Sequence, residues 1–162
     1  MRAELTVKSP FGPLTVTEED GAIVALRFGE AVGEPRETPL LVAAATQLDA
    51  YFYCGLKNFD LRLAPKGSES EQAIWAAMNA IPFGETRSYG EIARAAGSAA
   101  HRPLAPDVGP RDVGLACGRN PIPIIQPCHR VLAAGGALGG FSAPGGIETK
   151  LALLRHEGAM LL

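Results

Sequence analysis

The chain has few cysteines and no long apolar run. Only three of its 162 residues are cysteines (Cys54, Cys117 and Cys128), and no two of them have the Cys-x-x-Cys spacing. Three cysteines without that spacing argue against a disulfide framework and against a zinc site. No stretch approaches the ~18 uninterrupted apolar residues of a membrane span, and no apolar secretory region follows Met1. We therefore expect a cytoplasmic protein with no metal and no membrane partner.

An excess of charge of one sign is also missing. The formal net charge is −2, which gives no overall attraction to nucleic acid. The distribution is uneven, however, because residues 1–70 hold seven Lys and Arg against ten Asp and Glu, whereas residues 85–130 hold six Arg against four acids. Arginine suits phosphate binding and stacking, but a solvated surface has the same composition, so charge alone does not decide between them.

The overall composition is that of a globular chain, with 47% hydrophobic and 20% charged residues. Alternating apolar and polar residues and a Pro- and Gly-rich turn predict a small α/β domain over residues 1–66. Its expected elements are strands over residues 5–8, 14–17, 23–28 and 59–63, and a helix over residues 40–53.

The chain changes character near residue 67, which predicts a second domain over residues 67–162. Ser68 with Glu71, and Ser88 with Glu91, have the spacing of a capping box, so we expect helices over residues 68–80 and 89–96. Further helices are predicted over residues 111–118 and 146–156. Two short helices with a connector suggest a helix-turn-helix variant, although two helices packed in any small domain give the same pattern.

The predicted helix over residues 111–118 is rich in small residues. Gly114, Ala116 and Gly118 lower its helix propensity but let its backbone approach another surface closely. That surface is either a phosphate backbone or shallow groove, or simply another helix.

The sequence Pro127-Cys128-His129-Arg130-Val131 places a thiol beside a base and a cation. A thiolate is the reactive form of cysteine, and neighbouring positive charge or a base increases its fraction at neutral pH. Cys128 is therefore a candidate nucleophile, the alternative being a small core residue.

Several motifs occur together between residues 70 and 158, and their order is informative. They are TRSYGEIA (86–93), RDVG (111–114), NP (120–121), PCHRV (127–131), GGFS (139–142) and, with Lys150, LLRHEG (153–158). In these motifs and their order the chain resembles the methylated-DNA–protein-cysteine methyltransferases, also called O6-alkylguanine-DNA alkyltransferases. The resemblance implies an α/β + α fold: a ribonuclease H-like α/β domain, then a mostly helical winged helix-turn-helix-type domain for DNA binding and alkyl transfer.

The resemblance implies direct DNA repair. The protein would flip a damaged guanine out of the duplex and move the alkyl group from its O6 oxygen to Cys128, with O4 of thymine as a second candidate target. Displacement at a saturated carbon needs a polarizable nucleophile, which a thiolate is. The thioether product is not hydrolysed, so each molecule would react once, and no cofactor is needed because the sulfur is itself the acceptor. We expect a monomer, cytoplasmic or nucleoid-associated, whose partner is double-stranded DNA containing alkylated guanine.

The resemblance also implies roles for individual catalytic residues. His129 would deprotonate Cys128 through a bridging water, and Glu157 would orient and stabilise the imidazole. Tyr89 would donate to the departing guanine. Asn120 would join the recognition helix, which is the helix predicted over residues 111–118, to the active-site loop that carries Cys128, through backbone hydrogen bonds.

Three further residues match the family's substrate site, and a fourth, Lys150, is a further catalytic candidate. The carbonyl of Val131 would accept from the exocyclic amine of guanine, and the backbone amide of Ser142 would face the guanine oxygen. Phe141 would lie beside the alkyl group. Lys150 matches a lysine near the active site, although an exposed helical lysine gives the same pattern.

The DNA contacts implied by the resemblance centre on the helix of small residues. Arg111 would enter the base stack in place of the flipped nucleotide, where its planar guanidinium replaces part of the lost stacking. The helix would lie in the minor groove, whose degenerate code makes binding nearly independent of sequence. The residues concerned are Arg111, Gly114, Ala116, Gly118, Arg119 and Arg130, of which the last two are as readily solvated or internally paired as bound to phosphate.

Two features depart from the family pattern. Gln126 stands where a branched apolar residue usually precedes Pro-Cys, and it either disturbs packing behind the nucleophile or provides a polar neighbour. The segment over residues 97–111 is longer than in typical members, so the resemblance does not determine the path of the chain into the recognition helix.

Two other functions are alternatives to alkyl transfer. A lesion-binding protein that accepts no alkyl group is disfavoured by Cys128, which such relatives lack. A helix-turn-helix regulator that senses redox state or alkylation through Cys128 is disfavoured because no effector or dimerisation module is present.

Overall fold

The computed structural model describes residues 1–99, 108–139, 141 and 143–159. The chain folds as two compact units, Met1–Lys66 and Gly67–Leu162. None of the described helices has the length and apolar composition needed to cross a membrane.

The N-terminal unit is an antiparallel sheet with one helix packed on it. The sheet has the order β1-β2-β3, with β1 at Arg2–Val7, β2 at Leu14–Glu19 and β3 at Ala22–Phe28. Helix α1 spans Pro39–Tyr53 and begins after Thr38, whose hydroxyl accepts a hydrogen bond from the Leu41 N–H. The buried core of this unit lies between helix and sheet and includes Leu14, Val16, Ile23, Leu26, Leu41, Leu48 and Tyr51.

The strand predicted over residues 59–63 is wrong. This segment meets the sheet only at an isolated bridge between Ile23 and Leu63. Its earlier backbone groups are bound by a side chain instead, because the Gln47 amide donates to the Asp60 carbonyl at 3.0 Å and accepts from the Asp60 N–H at 2.8 Å. An extended segment whose hydrogen bonds are satisfied in this way needs no neighbouring strand.

The C-terminal unit is mostly helical. Helices α2 (Glu69–Asn79), α3 (Tyr89–Ala99) and α4 (Pro110–Gly118) pack against one another, and α5 (Ile147–His156) packs against a 3₁₀ turn at Cys128–Arg130. A second 3₁₀ turn spans Ala134–Gly136, and two-residue strands β4 (Arg87–Ser88) and β5 (Val131–Leu132) pair in parallel. Both predicted capping boxes form, Ser68 with Glu71 and Ser88 with Glu91.

Trp75 connects α2 to α4 in the core of this unit. The indole is 1% exposed and donates from Nε1 to the Ala116 carbonyl at 2.9 Å. Its ring lies so close to Gly67 that a Cβ there would come within 2.5 Å of it, so the chain needs glycine at the point where the unit begins. The packing of α2 against α4 fixes the start of the loop that follows α4.

The short β4–β5 pairing positions the candidate site. Arg87 is opposite Val131 and Ser88 is opposite Leu132. Because α3 begins directly after β4 and the Cys128 turn ends directly before β5, Tyr89 is brought beside the turn that carries the thiol.

Candidate active site

The loop between α4 and Cys128 is held by the side chain of Asn120. Its Oδ1 accepts from the Ile122 N–H at 3.0 Å, and its Nδ2 donates to the Gln126 carbonyl at 2.8 Å. Ile124 within this loop is fully buried and has φ = 74°, a left-handed conformation that a β-branched residue rarely adopts. Strain of this kind persists only where the surrounding structure fixes the backbone, and it is found often at functional sites.

Cys128 begins the 3₁₀ turn and is only 5% exposed. Burial raises the pKa of its thiol, while a hydrogen bond from the Asn120 side chain and the charge of Lys150 act in the opposite direction. The resting thiol is therefore protonated at neutral pH, and it needs a base to become a nucleophile.

His129 has the geometry of that base. Its side chain is fully buried, and Nε2 lies 2.8 Å from Oε2 of Glu157. Burial lowers the pKa of His129, against the opposing effect of Glu157, so the imidazole is neutral at neutral pH. A carboxylate only accepts hydrogen bonds, so Nε2 carries the proton and Nδ1 has a free lone pair. That Nδ1 is buried and has no hydrogen-bond partner among the described residues.

Arg130 lies in the interior, and the expectation that it contacts DNA is wrong. Its Nε and Nη2 donate to the two Glu157 oxygens at 2.7 and 2.9 Å, and its Nη1 donates to the Ile81 carbonyl at 2.7 Å. The guanidinium carbon also lies 5.8 Å from the centre of the Phe83 ring. Two of the three guanidinium nitrogens thus bind a buried carboxylate and the third binds a backbone carbonyl, which holds the group in the interior and away from a phosphate.

Lys150 is almost fully buried, which excludes an exposed helical lysine. Its Nζ donates to the Val131 carbonyl at 2.7 Å. Burial lowers the pKa of this ammonium group, while Cys117 and Cys128 act in the opposite direction. Helix α5 thus brings the Lys150 ammonium to Val131, and the carboxylate of Glu157, which follows the last residue of the helix, to His129 and Arg130.

Several partly buried side chains pack against the core cluster that contains Cys128 and Val131. Tyr89, Cys117 and Phe141 are among them. Burial raises the pKa of the Tyr89 phenol, which therefore keeps its proton at neutral pH. Burial also raises the pKa of Cys117 to about 12, so this second thiol stays protonated and unreactive. Ser142 lies outside the described residues.

Helix α4 presents one open face and one buried face. Arg111, Gly118 and Arg119 are exposed, and a Cβ added at Gly114 or Gly118 would meet no described atom within 4 Å. Ala116 is 2% exposed and packs in the core, so the expectation that it contacts DNA is wrong. Its small side chain lets α4 pack closely against α2, where the Trp75 indole binds the Ala116 carbonyl.

Leu115 was not identified from the sequence, although its side chain is 53% exposed. It follows Arg111 by four residues and precedes Gly118 by three, which puts all three on one face of α4. This spacing could have identified it, because a large apolar residue among small ones on an open helix face is unusual.

No candidate metal site is found within the described part of the chain, where no three His, Cys, Asp or Glu side chains are grouped as ligands. The fold and the site together define a protein with a helical, small-residue surface and a buried thiol next to a histidine–carboxylate pair.

Comparison with known proteins identifies the family. Residues 3–65 match the family model "6-O-methylguanine DNA methyltransferase, ribonuclease-like domain", and residues 69–159 match the corresponding "DNA binding domain". The methylated-DNA–protein-cysteine methyltransferase of Mycobacterium bovis is 44% identical over 158 residues, which cover 94% of this chain and 90% of the relative.

Solved structures agree. The O6-methylguanine methyltransferase of Mycobacterium tuberculosis matches with a TM-score of 0.80 and 42% identity, over 98% of this chain and 94% of that one. The structure of M. tuberculosis OGT in complex with DNA matches with a TM-score of 0.78 and 42% identity, over 96% and 92% of the two chains. The chain belongs to the methylated-DNA–protein-cysteine methyltransferase family, and the predicted fold class and enzyme class are confirmed.

Proposed function

We propose that the protein repairs duplex DNA by moving an alkyl group from O6 of guanine to Cys128, once per molecule. The observation that carries the proposal is the buried series Cys128, His129 and Glu157, in which the carboxylate fixes the imidazole at 2.8 Å. The same chemistry extends to O4 of thymine. We assign both DNA binding and alkyl transfer to residues 67–162. Residues 1–66 form a separate N-terminal α/β domain.

The proposed reaction starts with proton transfer from the Cys128 thiol to Nδ1 of His129, through a water molecule as the family resemblance implies. Glu157 stabilises the imidazolium that forms. The thiolate then attacks the alkyl carbon, so that a C–S bond forms while the C–O6 bond breaks and its electrons pass to the guanine. Tyr89, which is protonated at neutral pH, donates its proton to the departing base.

The proposed binding of the base uses groups around the thiol. The Val131 carbonyl accepts from Lys150 and keeps a second lone pair for the exocyclic amine of guanine. The Lys150 ammonium lowers the pKa of Cys128 and so favours the thiolate. Phe141 lies beside the alkyl group, and the role of Ser142 rests on the family resemblance alone.

The proposed DNA surface is the open face of α4, formed by Arg111, Gly114, Leu115 and Gly118. Small residues allow the helix backbone to enter the minor groove, and Arg111 occupies the space of the flipped nucleotide. We expect Arg111→Ala to slow repair of duplex DNA far more than reaction with free benzylguanine. Equal losses on both substrates would remove the role in the base stack. The protein would act as a monomer in the cytoplasm or on the nucleoid, where its DNA substrate lies.

Mass spectrometry tests the central step. After incubation with an oligonucleotide carrying 6-O-methylguanine, the peptide that contains Cys128 should gain the mass of one methyl group. Cys128→Ala should abolish this gain, and Cys54→Ala, at an exposed thiol, should leave it unchanged. Binding of the oligonucleotide without any mass change would instead indicate a lesion-binding protein.

A further inference from the structure

The side chain of Gln126 is fully buried two residues before the nucleophile, and it joins two asparagines. Its Nε2 donates to Oδ1 of Asn120 at 2.7 Å, and its Oε1 accepts from Nδ2 of Asn79 at 3.1 Å. Asn79 is the last residue of α2. The three amides therefore form a continuous chain from the end of α2 to the loop that carries Cys128.

A backbone group fixes the orientation of every amide in this chain. The Ile122 N–H can only donate, so the Asn120 atom that faces it must be the carbonyl oxygen. The Gln126 atom that faces the same oxygen must then be the NH₂ group, and the Gln126 oxygen must face the NH₂ group of Asn79. The hydrogen bonds thus have one consistent direction, and neither Asn120 nor Gln126 can turn over without placing two acceptors together.

The NH₂ group of Asn120 consequently supports the backbone beside the nucleophile. It donates at 2.8 Å to the Gln126 carbonyl, which also accepts from the Cys128 N–H at 2.9 Å. A hydrogen bond from the Asn120 side chain also lowers the pKa of the Cys128 thiol, against the effect of burial. One asparagine side chain therefore supports the backbone of Cys128 and favours its thiolate form.

We propose that Gln126 is a positioning residue for alkyl transfer, which holds the Asn120 amide against the backbone carbonyl that supports Cys128 and ties this loop to α2 through Asn79. An apolar side chain of similar size would fill the same space, but it would leave Asn120 Oδ1 with a single donor. Asn120 would then be held only by the Ile122 N–H and the Gln126 backbone carbonyl, the loop would lose its link to α2, and the hydrogen bond from Asn120 that favours the thiolate would weaken. This inference rests on the proposed function of Cys128.

Gln126→Met tests the proposal, because methionine has similar length and adds no buried charge. The rate of alkyl transfer from free benzylguanine and the rate of Cys128 modification by iodoacetamide are measured across pH. We expect the midpoint of both profiles to rise, with a loss of about threefold to tenfold at neutral pH, which corresponds to roughly half a pH unit to one pH unit. The exposed thiol of Cys54 provides an internal reference, whose profile should not move.

A double-mutant cycle separates positioning from packing. In an Asn120→Ala background, Gln126→Met should move the midpoint no further, because the amide it positions is gone. Two results would overturn the proposal. One is a slower rate of alkyl transfer with an unmoved pH midpoint, and the other is an equal shift of the midpoint in the wild-type and Asn120→Ala backgrounds.

Asn79→Ala provides a variant at the exposed end of the chain of amides, which keeps the test valid if Gln126→Met fails to fold. We expect a smaller upward shift in the same direction, and an unmoved midpoint in a folded Asn79→Ala protein would count against the role. Failure of the proposed function would be distinct, since the wild-type protein would then accept no alkyl group while the iodoacetamide profiles would still report on Gln126.

Discussion

Both carboxylate oxygens of Glu157 bind the guanidinium of Arg130, at 2.7 Å from Nε and 2.9 Å from Nη2. One of these oxygens also lies 2.8 Å from His129 Nε2. The carboxylate is fully buried, and Arg130 balances its charge while it orients the imidazole. The arginine next to the catalytic pair thus serves the interior and not the DNA surface.

Replacement of Arg130 should therefore affect stability first. We expect Arg130→Met to lower the free energy of unfolding by about 3 to 5 kcal/mol, because it leaves a buried carboxylate without its partner. Arg119→Met, at an exposed site directly after α4, should change that free energy by less than about 0.5 kcal/mol and weaken DNA binding. Chemical denaturation and DNA titration of both variants make the comparison. A stable Arg130→Met protein with selectively weakened DNA binding would instead indicate that Arg130 contacts DNA.

The pKa of His129 makes stability depend on pH. Burial lowers this pKa below the ordinary value of 6.5, so the unfolded chain binds a proton that the folded protein does not. The contribution of His129 to the free energy of unfolding is complete above pH 6.5 and declines as the pH falls toward the pKa of the folded state. We expect His129→Gln to flatten this decline in urea denaturation between about pH 5 and 8. His156→Gln, at an exposed position of α5, is the control, and an equal flattening there would contradict the assignment.

The open face of α4 allows stability and DNA binding to be separated. A methyl group added at Gly114 would meet no described atom within 4 Å, so Gly114→Ala should stabilise the helix by about 0.5 to 1 kcal/mol. It should nevertheless weaken DNA binding, because the added carbon keeps the backbone away from the groove. Gly97→Ala, at an exposed position of α3, also adds a carbon that meets no described atom within 4 Å, so it should show the stabilisation without the loss of binding. Unchanged DNA affinity in Gly114→Ala would exclude close approach of this helix face.

Gly139 controls the position of Tyr89. It has φ = 68°, and a Cβ there would lie 2.7 Å from the Tyr89 hydroxyl oxygen. Gly139→Ala should therefore displace the phenol and slow alkyl transfer, in addition to a backbone cost of about 1 to 2 kcal/mol. Gly136→Ala has the same backbone cost at φ = 81° with no described atom within 4 Å, so it should lower stability but spare the rate. Equal rates for the two variants would mean that Tyr89 does not act in the reaction.

Local sequence patterns were sufficient for most secondary structure of the C-terminal unit. The two capping boxes predicted the starts of α2 and α3, because the hydrogen bonds involved lie within three residues of one another. The strand predicted over residues 59–63 failed because its alternation was real but its partner was a distant side chain, Gln47. Alternation predicts an extended segment, but it does not predict what satisfies the backbone.

The sequence by itself determined the family, the candidate nucleophile and the residues that accompany it, because those signals are ordered motifs and short-range patterns. Only the tertiary structure decided which charges are paired and which surfaces are open. It placed Arg130 and Ala116 in the interior, left Leu115 exposed, and made Gln126 a link between Asn79 and Asn120. The physical reason is that burial and hydrogen bonding depend on residues 27 to 49 positions away, as in the bonds from Arg130 to Glu157 and to Ile81, and spacing along the chain carries no information about them.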